Sequence, residues 1–219
     1  VAGPLDHPWR GQRRRLIETL QEKGIRDLAV LRAIDEVPRH RFVPESTRHR
    51  AYEDAALPIG AGQTISQPYV HARALELLGL TGTERVLEIG TGSAYQTALL
   101  ATLAAQVFSV ERVGLLLDRA KGLLADLGVR NVSLLLGDGT LGWRDYAPYD
   151  AIIVGAGAPQ VPPALAEQLA EGGRLLLPVG GRDEQVLTVY TKRAGQLQAR
   201  DITPVRFVPL IGAGGWPAG

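Results

Sequence analysis

Glu88, Glu111 and Asp138 each close an apolar stretch, in "VLEIGTG", "VFSVE" and "LLLGDG". Gly90 and Gly92 follow the first of these acids. Small residues there let the backbone turn tightly and approach a ligand. An acid about twenty residues beyond such a loop can accept hydrogen bonds from both hydroxyls of a ribose. Asp138, with Gly139 beside it, can accept from an exocyclic amine such as that of adenine. Each acid alone could be a helix cap; their repetition at three successive strand ends favours a nucleoside site. A dinucleotide loop would need a third glycine at position 95, which is Tyr95, and the Gly-Lys-Ser/Thr of a phosphate loop is missing. NAD, FAD and nucleoside triphosphates are therefore disfavoured.

The elements that must position these acids follow from periodicity. Strands are expected at Arg85–Ile89, Gln106–Glu111, Val132–Leu136, Asp150–Val154, Arg174–Val179 and Val186–Lys192. Helices are expected at Tyr95–Ala104, Leu115–Leu127 and Pro163–Ala170 between them. This alternation predicts an α/β fold, a doubly wound, mostly parallel sheet, in which ligands sit at the carboxyl ends of the strands. "RLLLPVG" and "QVLTVYTKR" read as an antiparallel C-terminal hairpin. Upstream, Leu16, Ile17 and Leu20, and then Leu28, Leu31, Ile34 and Val37, fit two helical faces separated by Gly24 and stopped by Pro38. "ALPIGAGQTISQP" reads as an irregular loop before a helix over Tyr69–Leu78. We expect a single domain over 1–219. It comprises an N-terminal helical and substrate-loop region at 1–80, then a cofactor-binding core with the C-terminal strands at 81–219.

Glu88 stands two residues before Gly90, and E-I-G-T-G-S-A resembles the acidic-x-Gly-x-Gly-x-Gly loop of class I methyltransferases except at Ala94. The cofactor implied is S-adenosyl-L-methionine, which carries a sulfonium, an ammonium and a carboxylate. Glu88 is assigned to its methionine end, directly or through water. Ala94 reads as part of the first helical turn, where alanine is the better helix former. After the fourth strand, Gly155, Ala156, Gly157 and Ala158 offer only backbone polar groups. That suits an acceptor needing no deprotonation, such as a carboxylate with a pKa of ~4. Alignment and desolvation are then the protein's main tasks. His71 reads as a helix-surface or pocket-wall residue rather than a general base.

"ALPIGAGQTISQPYVHARALELL" followed by "RVLEIGTGSAYQTALLA" resembles the protein-L-isoaspartate O-methyltransferase family. The likeness continues through "VFSVERV", "NVSLLLGDGTLGW", "APYDAIIVGAGAP", "LAEGGRLLLPVG" and "VRFVPL". It implies methylation of the α-carboxylate of L-isoaspartyl residues in damaged proteins and peptides. The resemblance places Ser66 at the family's active-site serine, as a hydrogen-bond donor to that carboxylate. It places Thr64 and Tyr69, with Ser66, around the cofactor. Leu57, Pro58, Ile59 and Gly60, together with Val208, Pro209 and Leu210, match segments that flank the peptide. The stretch "GAGAP" departs from the family's usual Thr/Gly-Ala-Ala-Ala-Pro.

Composition bounds the alternatives. Over 219 residues, 45% are hydrophobic, 21% charged, and the net charge is +1. A near-neutral chain without [DN]-P-P-[YF] after the fourth strand speaks against a nucleic-acid base methyltransferase of the same fold. Retention of Ser66 and the three acids speaks against a non-catalytic binder of damaged peptides. Two basic clusters, Arg10, Arg13, Arg14, Arg15 and His40, Arg41, Arg48, His49, Arg50, read as solvated surface. No nucleic-acid partner, membrane partner or metal is expected, and a monomer is. The N-terminal stretch lacks the apolar core of a secretory signal, which predicts a cytoplasmic protein. Cysteine and methionine are absent and Asn131 is the only asparagine, a pattern resembling heat adaptation.

Overall fold

The computed structural model describes residues 8–217, so expectations for 1–7 and for the last two residues lie outside the described residues. Strands β1 (Leu57–Gly60) and β2 (Gln63–Ile65) form a two-stranded antiparallel sheet. The main sheet contains β3 (Arg85–Ile89), β4 (Gln106–Glu111), β5 (Val132–Leu136), β6 (Tyr149–Val154), β7 (Leu169–Gly180), β8 (Gln185–Arg193) and β9 (Gln196–Val205). Their spatial order is β5-β4-β3-β6-β7-β8-β9. Pairing is parallel from β5 through β7 and antiparallel at β7–β8 and β8–β9. Strand order therefore reverses between β3 and β6, where a doubly wound sheet opens a crevice.

Alternation along each strand divides the core between two faces. Val86, Val107, Ala151 and Ile153 pack with helices α1 (Arg10–Glu22), α2 (Leu28–Glu36), α3 (Pro68–Leu78), α4 (Tyr95–Leu103) and α5 (Gly114–Asp126). Leu87, Ile89, Phe108, Val110, Ile152 and Val154 pack on the other face with Leu165 of α6 (Pro163–Gln168). Glu88 shares the face of Val86, so its carboxylate enters the core beneath α4.

Local chemistry sets the helix ends. The Asp27 carboxylate accepts from the amides of Ala29 and Val30 and caps α2. Pro68 occupies the first turn of α3, whose end is marked by Gly79 at φ 57°. Two expectations change. "ALPIGAGQTISQP" is not wholly irregular, because it folds into the β1–β2 hairpin, a turn carried by Ala61 and Gly62 at positive φ. The expected two-stranded C-terminal hairpin gains β9, a largely exposed edge strand whose polar "QLQARDITPV" gave no apolar signal. The basic clusters also divide. Arg13 and His40 are buried, and Arg13 donates to Asp35 O at 2.5 Å and to Tyr52 Oη at 3.2 Å. Arg10, Arg14, Arg15, Arg41, His49 and Arg50 are exposed as expected.

Candidate active site

A cavity of about 950 Å³ opens at the carboxyl ends of β3, β4 and β6. Its floor is the turn after β3. Gly90 and Gly92 adopt φ 93° and 54°, which only glycine takes without strain. The turn is tied to its neighbours by Gly90 N to Val110 O at 2.8 Å and Gly155 N to Ile89 O at 2.8 Å. A side chain would clash at Gly139 and meet the backbone closely at Gly155. A Cβ on Gly139 would lie 2.3 Å from Ile89 Cγ2, and one on Gly155 would lie 3.4 Å from Ile89 O.

The three acids do not have equal access to this space. Glu111 lines the cavity. Its Oε2 accepts from Gly92 N at 2.8 Å and its Oε1 from Val113 N at 2.9 Å. Each oxygen keeps a further lone pair for a ligand hydroxyl. Glu88 is fully buried behind the loop. It accepts from Thr97 Oγ1 at 2.6 Å, Ser109 Oγ at 2.6 Å and Gln96 Nε2 at 3.1 Å. Burial pushes its carboxyl up to about 7, against the lowering effect of those hydrogen bonds. It reaches the cavity wall through Gln96, which corrects the expectation of a possible direct contact. Asp138 lies just beyond the wall formed by Gly139. Its Oδ1 accepts from Thr140 N and Oγ1, and its Oδ2 accepts from Ala213 N at 2.8 Å. Burial raises its carboxyl, but the bonds from Ala213 and Thr140 outweigh that and hold it below the usual range. It thereby fastens the C-terminal turn to the sheet.

Opposite the loop, Gln63, Thr64, Ile65, Ser66 and Gln67 form one side of the cavity, and Val208, Pro209 and Leu210 another. The post-β6 segment is pinned to that second side by Gly157 N to Val208 O and Leu210 N to Gly157 O, both 2.8 Å. The other four peptide-flanking candidates lie off this cavity. Leu57 and Ile59 are buried, and Pro58 and Gly60 are exposed without lining this cavity. Ile59 instead lines a separate groove with Phe42, Leu116 and Arg119. Strand β2, rather than β1, presents the hairpin to the cavity. Tyr69 does not line it either; the Lys23 ammonium lies 5.6 Å from its ring centroid.

His71 and Gln96 complete the wall. His71 Nδ1 is 3.0 Å from Gln96 Oε1. Because the Gln96 amide donates to Glu88, its oxygen faces His71, and the network assigns the proton to Nδ1. His71 Nε2 is buried without a partner. Burial, with the charge of Arg39 adding to it, pushes the imidazole down to about 3, so it is neutral at physiological pH. Gln96 escaped notice in the sequence because the signal lay in Glu88 and the glycines. Its position in the first turn of the helix after the loop was the available clue.

The lining fits a sulfonium nucleoside: the Glu111 carboxyl as acceptor, a neutral imidazole, and a glycine turn of close backbone. With the doubly wound sheet, this defines the class I S-adenosylmethionine-dependent methyltransferases. Comparison with known proteins narrows the class. Residues 11–214 match the family model "Protein-L-isoaspartate(D-aspartate) O-methyltransferase", and the chain belongs to that family. It is 59% identical over 195 residues to "Protein-L-isoaspartate O-methyltransferase 1" of Anaeromyxobacter sp. (strain Fw109-5), covering 88% of this chain and 92% of that one. It is 52% identical over 205 residues to the protein-L-isoaspartate O-methyltransferase of Dictyoglomus thermophilum, covering 94% and 93%. A Plasmodium falciparum structure, described as a putative protein-L-isoaspartate O-methyltransferase in complex with S-adenosyl-L-homocysteine, superposes with a TM-score of 0.80. It shares 28% identity and is covered over 97% of its length by 90% of this chain.

Proposed function

We propose that this chain is a repair enzyme that methylates the free α-carboxylate of L-isoaspartyl residues in damaged proteins and peptides. S-adenosyl-L-methionine supplies the electrophilic methyl group, and S-adenosyl-L-homocysteine is the by-product. The observation that carries the reading is the joining of two walls in one cavity. Glu111 and the glycine turn form the first wall, and Ser66 with Val208–Leu210 forms the second.

The chain's own residues account for the chemistry. Glu111 holds the ribose hydroxyls, and Gly139 lets the adenine approach the sheet. Glu88 acts through Gln96 at the methionine end. A neutral His71 adds no positive charge at its place in the wall, so it does not repel a sulfonium. Ser66 donates its hydroxyl to the substrate carboxylate and directs one oxygen at the methyl. That carboxylate is already ionised at pH 7, so alignment and water exclusion carry the acceleration. Gly155 and Ala156 leave room for the extra backbone atom of an isoaspartyl linkage. Val208–Leu210 and the β2 side flank an extended peptide, whose main-chain bonds tolerate many side chains.

The same reading makes the chain a cytoplasmic, heat-adapted monomer acting on protein rather than on nucleic acid or membrane. Its support is a net charge of +1 and the depletion of cysteine, methionine and asparagine. Among the described residues, no helix is long and apolar enough to cross a membrane. The deciding assay supplies S-adenosyl-L-methionine and an isoaspartyl peptide, with its aspartyl twin as control. Base-labile methyl groups that release methanol are expected on the isoaspartyl form only. Their absence, or methylation stable to mild base, would sink the reading.

A further inference from the structure

Arg39 is a large charged side chain with no exposed surface, and apart from its part in keeping His71 neutral the chemistry above does not use it. It sits in a short 3₁₀ turn over Arg39–Phe42, before the hairpin. Its guanidinium forks between two carbonyls. Nε donates to Ala51 O at 2.9 Å, and Nη2 donates to Ser66 O at 2.7 Å. Its central carbon lies 4.8 Å from the centroid of the Tyr95 ring, the residue that opens α4 after the glycine turn. Burying a cation against neutral carbonyls and a ring is costly, and burial lowers the Arg39 pKa accordingly. A buried hydrocarbon of similar volume would avoid that cost but take these donors from the Ala51 and Ser66 carbonyls. What the guanidinium adds over packing is its hold on those two carbonyls.

We propose that Arg39 is a positioning residue for Ser66: its bond to the Ser66 carbonyl fixes the peptide plane that aims the serine hydroxyl into the cavity. A second charged group holds the other side of the same segment. Asp54 accepts from Gln67 Nε2 at 3.0 Å and from Tyr69 N at 2.8 Å, and itself receives Lys23 Nζ at 2.6 Å. Ser66 and Gln67 are thus clamped between a buried cation on one carbonyl and a carboxylate on the following amides. Pro68 fixes the direction in which the chain leaves. A guanidinium suits the task because its planar donors span two carbonyls at once, whereas an ammonium is a single point. The Tyr95 ring against the same guanidinium ties the serine's setting to the start of α4, so both cavity walls share one anchor.

The inference rests on Ser66 as the donor to the substrate carboxylate, and a double-mutant cycle separates the two claims. Arg39→Lys keeps the charge but loses the planar fork that sets the Ser66 carbonyl; Arg39→Met removes charge and bonds together and is measured beside it where it folds. Thermal melts establish folding of each variant. For Arg39→Lys we expect kcat on an isoaspartyl peptide to fall about 10- to 100-fold, the scale of a small misplacement at a reacting centre. Its Kd for S-adenosyl-L-homocysteine is expected to stay within about twofold of the parent. In a Ser66→Ala background, adding Arg39→Lys is expected to slow turnover by less than about twofold, because the group it positions is already gone. A Ser66→Ala enzyme slowed again by the full factor would overturn the positioning role and leave Ser66 standing. An Arg39→Lys enzyme with parental kcat would do the same. A Ser66→Ala enzyme with parental kcat would overturn the role of Ser66 itself, and Arg39's role with it.

Discussion

The two walls of the cavity are built by different physics. The cofactor wall is made of turns at the ends of parallel strands, and its ligands are set by ladder register and by glycines at φ 93° and 54°. The substrate wall is made of a short hairpin and two irregular segments. Side chains from elsewhere hold them: Arg39 and Asp54 on residues 66–69, and Gln185 Oε1 accepting from Phe207 N at 2.8 Å. The first wall is a property of the fold, set at the carboxyl ends of the parallel strands. The second carries the acceptor, and it lacks regular structure because specificity needs a shape that repeating backbone does not supply.

The sharpest way to break this comparison is to damage each wall and read binding and turnover separately. Glu111→Ala is expected to have the largest effect. It removes a charged acceptor for two hydroxyls and the bond that holds Gly92, so the Kd for S-adenosyl-L-homocysteine should rise on the order of 100-fold or more in calorimetry. Ser66→Ala should leave that Kd within about twofold and lower kcat by about 10- to 100-fold, the worth of one hydrogen bond to a charged group. Equal losses of affinity in both variants would show that the walls are not separable.

Glu88 tests the cofactor wall through pH. Its folded carboxyl, at about 7, lies above the ordinary 4.5. A raised acid favours the protonated folded state. That stability is fully present below pH 4.5 and is lost as pH rises through 7. Glu88→Gln cannot ionise, so its melting temperature should rise relative to the parent between pH 5 and pH 8. The difference approaches about 3 kcal/mol at most, from 1.36 kcal/mol per pKa unit. Parallel melting curves for the two proteins across that range would mean that Glu88 stays ionised throughout.

Much of the cofactor wall was legible in the sequence. Strands at Arg85–Ile89, Gln106–Glu111 and Val132–Leu136 have the expected limits, because apolar runs bounded by turn residues fix buried parallel strands. What was not legible was depth. Glu88 and Glu111 look alike in the chain and share one face of the sheet, but Glu111 stands two residues beyond Ser109, the partner of Glu88, and so reaches the cavity while Glu88 stays in the core. Asp138 reads as a free acceptor until the C-terminal turn, 75 residues on, presents the Ala213 amide. On the other wall, family likeness pointed to Ser66 and Val208–Leu210, which do line the cavity, but it could not tell which hairpin strand faces inward. Arg39 gave no signal, since a lone arginine in a short turn is ordinarily solvated.

Ala94 gives the smallest effect and the cleanest correction. Read as helical, it should make Ala94→Gly destabilising by ~1 kcal/mol, the propensity difference within a helix. The residue is instead the left-handed N-cap of α4, at φ 66° and ψ 7°. A Cβ in that region costs about 1–2 kcal/mol, which glycine would relieve. Ala94 is also fully buried, so losing its methyl group forfeits about 0.8 kcal/mol, and glycine adds unfolded-state freedom. The opposing effects nearly cancel, and Ala94→Gly should fall within about 0.5 kcal/mol of the parent in denaturant unfolding. The affinity for S-adenosyl-L-homocysteine should be unchanged, because the loop already holds the conformation glycine would take. A branched side chain breaks that balance: Ala94→Val adds bulk to a filled site and strain to a left-handed residue, and should cost several times more. A full ~1 kcal/mol loss in Ala94→Gly would mean that position 94 behaves as helix in solution. A tighter complex in the same variant would mean instead that the parental alanine strains the loop.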